Sequence, residues 1–129
     1  MNQKDLAAAE SSNHTDELTY TIIDAIQDVK GQDIKLFDMR GLDNASTDFF
    51  IICHAQSVTQ INGILGNIER KVYQLLGLRP NHSEGRHGKS WMLIDYFNVV
   101  IHVFDKEKRG FYNLEELWND AVITNIESE

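Results

Sequence analysis

The sequence predicts a single α/β domain in which helices pack on a mixed β-sheet of about five strands. Three observations lead to this prediction. The chain has 129 residues, a length at which one domain buries a substantial core. Amphipathic segments with helical spacing alternate with short apolar segments, in the order α-β-β-α-β-β-β-α. The single cysteine excludes an internal disulfide, so the core must hold without one.

The first elements follow from local signals. Residues 1–14 are small, polar and aperiodic, which indicates a flexible arm. We expect the first helix to be capped by Thr15 and to end at Gly31, with an apolar face made of Leu18, Ile22, Ile26 and Val29. Strands are expected over 34–39 and 48–53. The second is apolar at nearly every position, as in a central strand that is covered on both faces.

Ser57 followed by Gln60 is a capping-box pattern, so a second helix is expected to begin there and to end at Gly77. A short third strand is expected around residues 78–83. After a hairpin, Asn113 and Glu116 repeat the capping-box pattern.

That second box predicts a final helix over 114–122. Residues 123–129 are expected to form an acidic tail, so the domain proper is predicted to span 15–122.

The hairpin has two different faces. With Tyr96 and Phe97 as its loop, Trp91 is expected to lie opposite His102. One face is then aliphatic and suits a packed helix: Met92, Ile94, Val99, Ile101 and Val103. The other face mixes aromatic, acidic and imidazole groups: Trp91, Leu93, Asp95, Val100, His102 and Phe104. This mixture is typical of a protein-binding surface. A sheet buried on both sides, with an inert hydrogen-bonded His102, is an equal alternative.

Charge and composition exclude some classes of protein. Twenty acidic and twelve basic residues give a net charge of −8, too acidic for binding nucleic acid through overall charge. A local cluster offers at most a minor RNA contact and is more often a solvated edge: Arg70, Lys71, Arg79, Arg86 and Lys89. The sequence has neither an apolar run of membrane-span length nor the pattern of a signal peptide, so we expect a cytoplasmic protein without membrane contact. Cys53 ends an apolar run and is expected to be a buried hydrophobe.

No pattern in the sequence matches a catalytic or cofactor site. The glycine-containing loops lack phosphate-binding spacing, and the serines lie in no nucleophile elbow. Two-metal catalysis would want carboxylates two residues apart on one strand, and no such pair is present on the predicted strands. His82, Glu84 and His87 are conceivable zinc ligands, but their spacing is irregular and no thiolate accompanies them. We therefore expect no catalytic residue, metal or cofactor.

Five segments, taken in order over about residues 19–121, resemble the ribosomal silencing factor or Iojap-like family: KGQDIKLFDMRG, STDFFIIC with Ser57 and Gln60 after it, EGRHGKSW, DYFNVVIHVF and FYNLEELWNDA. The resemblance implies a fold similar to nucleotidyltransferases whose catalytic carboxylates are lost. It also implies a non-enzymatic adaptor that binds the large ribosomal subunit at the protein of the L-fourteen type. There such a protein blocks joining of the small subunit and represses translation when nutrients are limiting.

One departure from the family pattern lies in the hairpin turn. The family usually has Asp-Tyr-Gly-Asp, whereas this chain has Asp95-Tyr96-Phe97-Asn98. Phe97 adopts positive φ only at a cost that glycine does not carry. We therefore expect the turn to shift, with Asn98 in that geometry.

These patterns predict a partner-binding surface on the hairpin. Its hydrophobic centre is predicted to be Trp91, Leu93, His102 and Phe104. Its polar rim is predicted to be Asp95, Tyr96, Arg109 and Tyr112. The exposed apolar face also suggests that the free protein forms a homodimer. Two alternatives remain open: a nucleotide-binding or nucleotidyl-transferring enzyme with an irregular site, and a homodimeric interaction module without a ribosomal role.

Overall fold

A computed structural model describes residues 3–86 and 90–127, with the backbone alone for residues 3–13 and Arg86. Its elements are α1 (Gln3–Asp28), β1 (Gln32–Asp38), β2 (Phe49–Ala55), α2 (Val58–Leu76), β3 (His82–Arg86), β4 (Trp91–Asp95), β5 (Val99–Asp105), α3 (Lys106–Tyr112), α4 (Leu114–Leu117) and β6 (Val122–Ile126).

The strands form one six-stranded mixed sheet in the order β3-β4-β5-β2-β1-β6. Neighbouring strands are antiparallel except for the central pair, β2 and β5, which are parallel. A parallel pair requires a long connection, and here α2, β3 and β4 lie in the segment between the two strands. The predicted α/β class is confirmed, with six strands in place of about five.

The main core lies between the sheet and helices α1 and α2. The aliphatic face of the hairpin packs there, as predicted, through Ile94, Val99, Ile101 and Val103. Each such side chain contributes about 1.5–3 kcal/mol when it is fully buried. Cys53 joins this cluster and is buried, which confirms its predicted place. No helix in the described part of the chain has the length and apolar character needed to cross a membrane.

Helix α1 begins at Gln3, so the predicted start at Thr15 is wrong and helix replaces the flexible arm from Gln3 onward. The cause is intrinsic propensity, because residues 6–10 read Leu-Ala-Ala-Ala-Glu and are all strong helix formers. Thr15 is buried inside the helix, where its hydroxyl accepts a hydrogen bond from the amide of Asn98 at 2.7 Å. It therefore ties the helix to the hairpin turn.

Helix α2 has the predicted ends. Ser57 caps it by accepting the backbone N–H of Gln60 at 3.1 Å. The Gln60 side chain accepts the N–H of Gln56 at 3.0 Å, one residue before the position expected for a capping box. Gly77 closes the helix at φ 69°, which glycine adopts without strain.

The C-terminal part differs most from the prediction. The predicted final helix over 114–122 begins at Leu114 as expected but already ends at Leu117, and another short helix, α3, precedes it. Asn113 lies between the two helices at φ 48° and makes no side-chain cap bond. Residues 122–126 pair with β1 as an edge strand and do not belong to an acidic tail. Likewise, the third strand covers His82–Arg86 and not 78–83. Edge strands give weak sequence signals, because few of their side chains alternate between core and solvent.

Candidate functional site

The hairpin keeps its predicted faces but not its predicted pairs. Trp91 lies opposite Phe104, Leu93 opposite His102 and Asp95 opposite Val100, a shift of two residues from the predicted register. Because side chains alternate with a period of two, a shift of two residues leaves every side chain on the same face. The mixed face, opposite the two long helices, is therefore the one predicted from the sequence.

The turn that sets this register does not shift as expected. Phe97 itself adopts positive φ, at 71°, and its side chain is 68% exposed. The N–H of Asn98 donates to the carbonyl of Tyr96 at 2.9 Å, which closes a three-residue turn around Phe97. The Asp95 carboxylate accepts the N–H of Phe97 at 2.7 Å and helps to hold this conformation. The prediction that Asn98 takes the positive φ is wrong.

The mixed face opens into a groove of about 360 Å³ between the sheet and the α4 region. Strands β2 to β5 form its floor, and residues around α4 form one wall. Its lining is Ser46, Phe50, His82, Glu84, Trp91, Leu93, Asp95, Val100, His102, Leu114 and Trp118. Four predicted surface residues, Trp91, Leu93, Asp95 and His102, thus lie together in one concave site.

A hydrogen bond between two of these residues orders the groove. The indole N–H of Trp91 donates to Nδ1 of His102 at 3.0 Å. This bond requires Nδ1 as the acceptor, so the neutral imidazole carries its proton on Nε2. His102 is buried, and the ring of Phe50 meets it edge-on at 5.1 Å. The imidazole therefore helps to fix the orientation of the Trp91 ring.

Aromatic rings support Trp91 from behind. Phe104 stacks on it at 5.2 Å, and the ring of Tyr112 lies tilted against it at 5.0 Å, both measured between ring centroids. Phe104 is only 1% exposed and belongs to a small core on this side of the sheet, with Phe37, Met39 and Ile52. Phe104 therefore positions the groove without lining it, and half-buried Tyr112 lies beside it.

Two residues predicted for the rim lie elsewhere. Tyr96 is 5% exposed and packs in the main core on the helix side of the sheet, where burial raises its pKa to about 12. Arg109 is 6% exposed and bonds to the Glu115 carboxylate at 2.8 Å, the Asp33 carbonyl at 2.6 Å and His54 Nδ1 at 2.9 Å. Both rim positions are therefore wrong, because each side chain finds a buried place away from the groove.

The electrostatics around Arg109 are consistent with a structural cross-link. Burial lowers the pKa of His54, and the neighbouring guanidinium lowers it further, so the imidazole stays neutral and can accept a hydrogen bond at Nδ1. Lys35 lies 3.8 Å from the same Glu115 oxygen. Arg109 does not pair with its neighbour Asp105, because its partners come from β1, β2 and α4.

Two residues that line the groove, Phe50 and Trp118, were not predicted as part of a site. Phe50 was interpreted as one of many apolar residues in a central strand, and Trp118 as part of a final helix. Their rings meet edge-on at 5.6 Å, and both line the groove, Phe50 from the floor and Trp118 from the wall. The available signal was their position in two of the family-like segments, STDFFIIC and FYNLEELWNDA.

Two other candidates from the sequence were a zinc site and a basic cluster. Among the residues described, no group of three His, Cys, Asp or Glu side chains could hold a metal ion, and His87 lies outside the described residues. In the basic cluster, Lys71 pairs with Asp28 at 2.8 Å and Arg79 covers the ring of Tyr73 at 4.4 Å.

Comparisons with known proteins identify similar chains. A family model described as "Ribosomal silencing factor during starvation" matches residues 12–129. The chain is 38% identical to the ribosomal silencing factor RsfS of Halalkalibacterium halodurans over 111 residues, which cover 86% of this chain and 93% of that protein.

Solved structures agree with the fold. A protein from Chromobacterium violaceum has a TM-score of 0.74 and 29% identity, with 81% of this chain and 85% of that chain covered. A protein from Bacillus halodurans has a TM-score of 0.69 and 36% identity, with 87% and 98% covered. Neither comparison tests the likeness to nucleotidyltransferases, which stays a prediction.

Proposed function

The chain belongs to the family of ribosomal silencing factors, and on that basis we propose that it binds the large ribosomal subunit at its L-fourteen-type protein and blocks joining of the small subunit. Translation would then fall when nutrients are limiting. Family membership makes the chain a translation regulator that associates with the ribosome. The proposal consists of two further statements: that the docking partner is the L-fourteen-type protein, and that binding blocks joining of the subunits.

The observation that carries this proposal is the aromatic groove on the open face of the sheet. Trp91 is half-buried in the free protein, so a partner can cover it further. Tryptophan is one of the residues that dominate binding energy at protein interfaces, above all in pockets from which water is excluded. A groove of about 360 Å³ accepts one or two side chains and anchors a larger contact around them.

This mode of action needs no chemical step. A protein that occupies the joining surface of a subunit prevents the second subunit from approaching, and the affinity of the contact sets the degree of repression. The rings of Phe104 and Tyr112, which pack against Trp91, hold it in one orientation before binding. A preorganised anchor costs less conformational entropy when it docks.

The test is co-sedimentation with isolated ribosomal subunits. We expect the protein to pellet with large subunits and not with small ones, and saturating protein to lower the yield of joined ribosomes on a sucrose gradient. Full joining at saturating protein would overturn the proposal. Incubation with magnesium and labelled nucleotide tests the enzymatic alternative, which predicts turnover.

Replacing Trp91 by alanine examines the groove directly. We expect Trp91→Ala to weaken binding to large subunits by about 2 kcal/mol or more, as for a desolvated aromatic anchor. Phe111→Ala is the matched control, because Phe111 is an exposed aromatic outside the groove. Equal affinity losses in the two variants, with unchanged melting temperatures, would contradict the groove as the docking site.

The same face is our candidate for homodimer formation in the free protein. A dimer that buries the groove would compete with the large subunit for it. Sedimentation velocity of the wild type and of Trp91→Ala tests this, because a dimer formed through the groove should dissociate more readily in the variant.

A further inference from the structure

Two carboxylates lie on the groove side of the sheet. Strand β3 pairs with β4 so that His82 lies opposite Asp95 and Glu84 lies opposite Leu93. Directly opposed side chains share a face, and Leu93 and Asp95 share one because they are two residues apart. Glu84 and Asp95 are therefore diagonal neighbours, and both line the groove. Asp95 already accepts the Phe97 N–H at 2.7 Å and lies 3.6 Å from Nδ1 of His82, and a carboxylate has acceptor sites for further hydrogen bonds from a cation.

Aromatic rings surround these carboxylates. Phe50, Trp91 and Trp118 line the same groove, and Phe50 and Trp118 meet edge-to-face. The face of an aromatic ring carries partial negative charge and attracts a cation within about 6 Å, with tryptophan the strongest of the rings. Carboxylates and ring faces around one cavity are complementary to a cation that also has flat, weakly hydrated surfaces.

Building on the proposed function, we propose that the groove binds the side chain of an arginine presented by the ribosomal partner. A guanidinium group is planar, stacks on aromatic rings and donates to carboxylates in a fixed geometry. Its aliphatic stem fits the apolar floor formed by Leu93 and Val100. Glu84 and Asp95 then act as the charged receptors, and Trp91 as the stacking surface.

Charge favours this occupant over a second copy of the chain, so an arginine of the partner should displace a homodimer formed through the groove. Each copy has a net charge of −8, and a symmetric dimer through the groove would bring two pairs of carboxylates together. Like charges across an interface oppose association. An arginine carries the opposite charge and meets no such repulsion. Lysine and leucine are the competing side chains that an experiment must distinguish from arginine.

The first experiment uses small probes and no ribosome. The indole N–H resonances of Trp91 and Trp118 are followed by NMR while N-acetyl-arginine N-methylamide is added. The matched probe is the citrulline analogue, which keeps the shape and most donors of arginine but has no charge. We expect saturable shifts with the arginine probe, weaker shifts with the lysine analogue and none with the citrulline or leucine analogues. The absence of shifts with arginine, or equal shifts with leucine or citrulline, would overturn the inference.

The second experiment measures affinity for large subunits in Asp95→Asn and Glu84→Gln. Asparagine keeps an oxygen that accepts the Phe97 N–H, so the turn is retained while the charge is removed. We expect each variant to bind roughly tenfold more weakly, as for loss of one charge-assisted contact, and to show a shallower dependence on salt. Glu107→Gln is the control, because Glu107 is an exposed carboxylate outside the groove.

The outcomes distinguish the inference from the proposed function. If the wild type pellets with large subunits while both groove variants bind equally well, the arginine site is wrong and the proposed function stands. If the wild type does not pellet but the arginine probe binds, the site stands and the proposed partner is wrong. Melting temperatures exclude unfolding as the cause of lost binding, and Glu84→Gln serves if Asp95→Asn fails to fold.

Discussion

At the scale of single residues, the guanidinium of Arg109 joins three elements of the chain to its own helix. It contacts Glu115 in α4, the carbonyl of Asp33 in β1 and the imidazole of His54 in β2. Because α4 leads to Trp118, this cross-link fixes the corner that forms one wall of the groove. A buried charge of this kind is costly unless its partners remain in place.

Arg109→Gln should therefore destabilise the protein by about 2–3 kcal/mol, since it removes hydrogen bonds to a charged group in a buried setting. Urea unfolding at neutral pH measures this change. Arg40→Gln is the control, because Arg40 forms a comparable pair with Asp38 at an exposed site. Exposed pairs contribute about 0–1 kcal/mol. Equal losses in the two variants would show that the Arg109 contacts do not form in solution.

The backbone of Phe97 is strained, because it adopts positive φ. A non-glycine residue at positive φ costs about 1–2 kcal/mol, and the exposed ring of Phe97 regains little of that by packing. Phe97→Gly should therefore raise stability by about 1 kcal/mol, measured as a higher melting temperature. Phe97→Ala keeps the Cβ atom and should give no such gain. A gain that is equally large with alanine would mean that the ring, and not the backbone, is the unfavourable feature.

At the scale of helices and strands, local signals decide what the sequence reveals. The ends of α2 were predictable because Ser57 and Gly77 carry their own capping chemistry. Strand β6 was not, because it lies at an edge, has mostly exposed side chains and is specified by pairing with β1, about ninety residues away. Asn113 precedes a helix as its sequence context predicts, but its αL conformation also ends α3, and its side chain makes no cap bond to α4.

Removal of the α2 cap tests whether that local chemistry matters for stability. Ser57→Ala should destabilise the protein by about 1 kcal/mol, because the N–H of Gln60 loses its acceptor. Ser57→Gly should cost only a few tenths of that, since glycine at the cap leaves the helix end open to water. Chemical denaturation of both variants gives the comparison, and no loss in the alanine variant would contradict a stabilising role for the cap.

At the scale of the whole molecule, one sheet separates two apolar clusters. The large cluster includes apolar residues of α1 and α2, and the small cluster lies beside the groove. The division of the hairpin residues between its two faces was predicted correctly, because alternation along a strand depends only on sequence spacing. The places of Tyr96 and Arg109 were not predictable, because their burial depends on residues that reach them only in the folded chain.

Since both clusters share strands β2 and β5, we expect the domain to unfold in one cooperative step. Both tryptophans, Trp91 and Trp118, pack against the small cluster, so fluorescence reports that side of the sheet. Far-ultraviolet circular dichroism reports mainly the long helices on the other side. The two melting curves should coincide, and an earlier fluorescence transition would show that the groove side opens separately.

The buried thiol of Cys53 has a practical consequence for experiments on this protein. Cys53 is the only cysteine, it is fully enclosed in β2, and burial raises its pKa to about 12. The thiolate is the nucleophile that attacks thiol reagents, and it is nearly absent from such a group at neutral pH. The folded protein should therefore not react with maleimides or disulfide reagents. The rate at which Cys53 is modified will then measure how fast its surroundings open to solvent. A cysteine introduced on the surface would be the single site for attaching a dye or spin label.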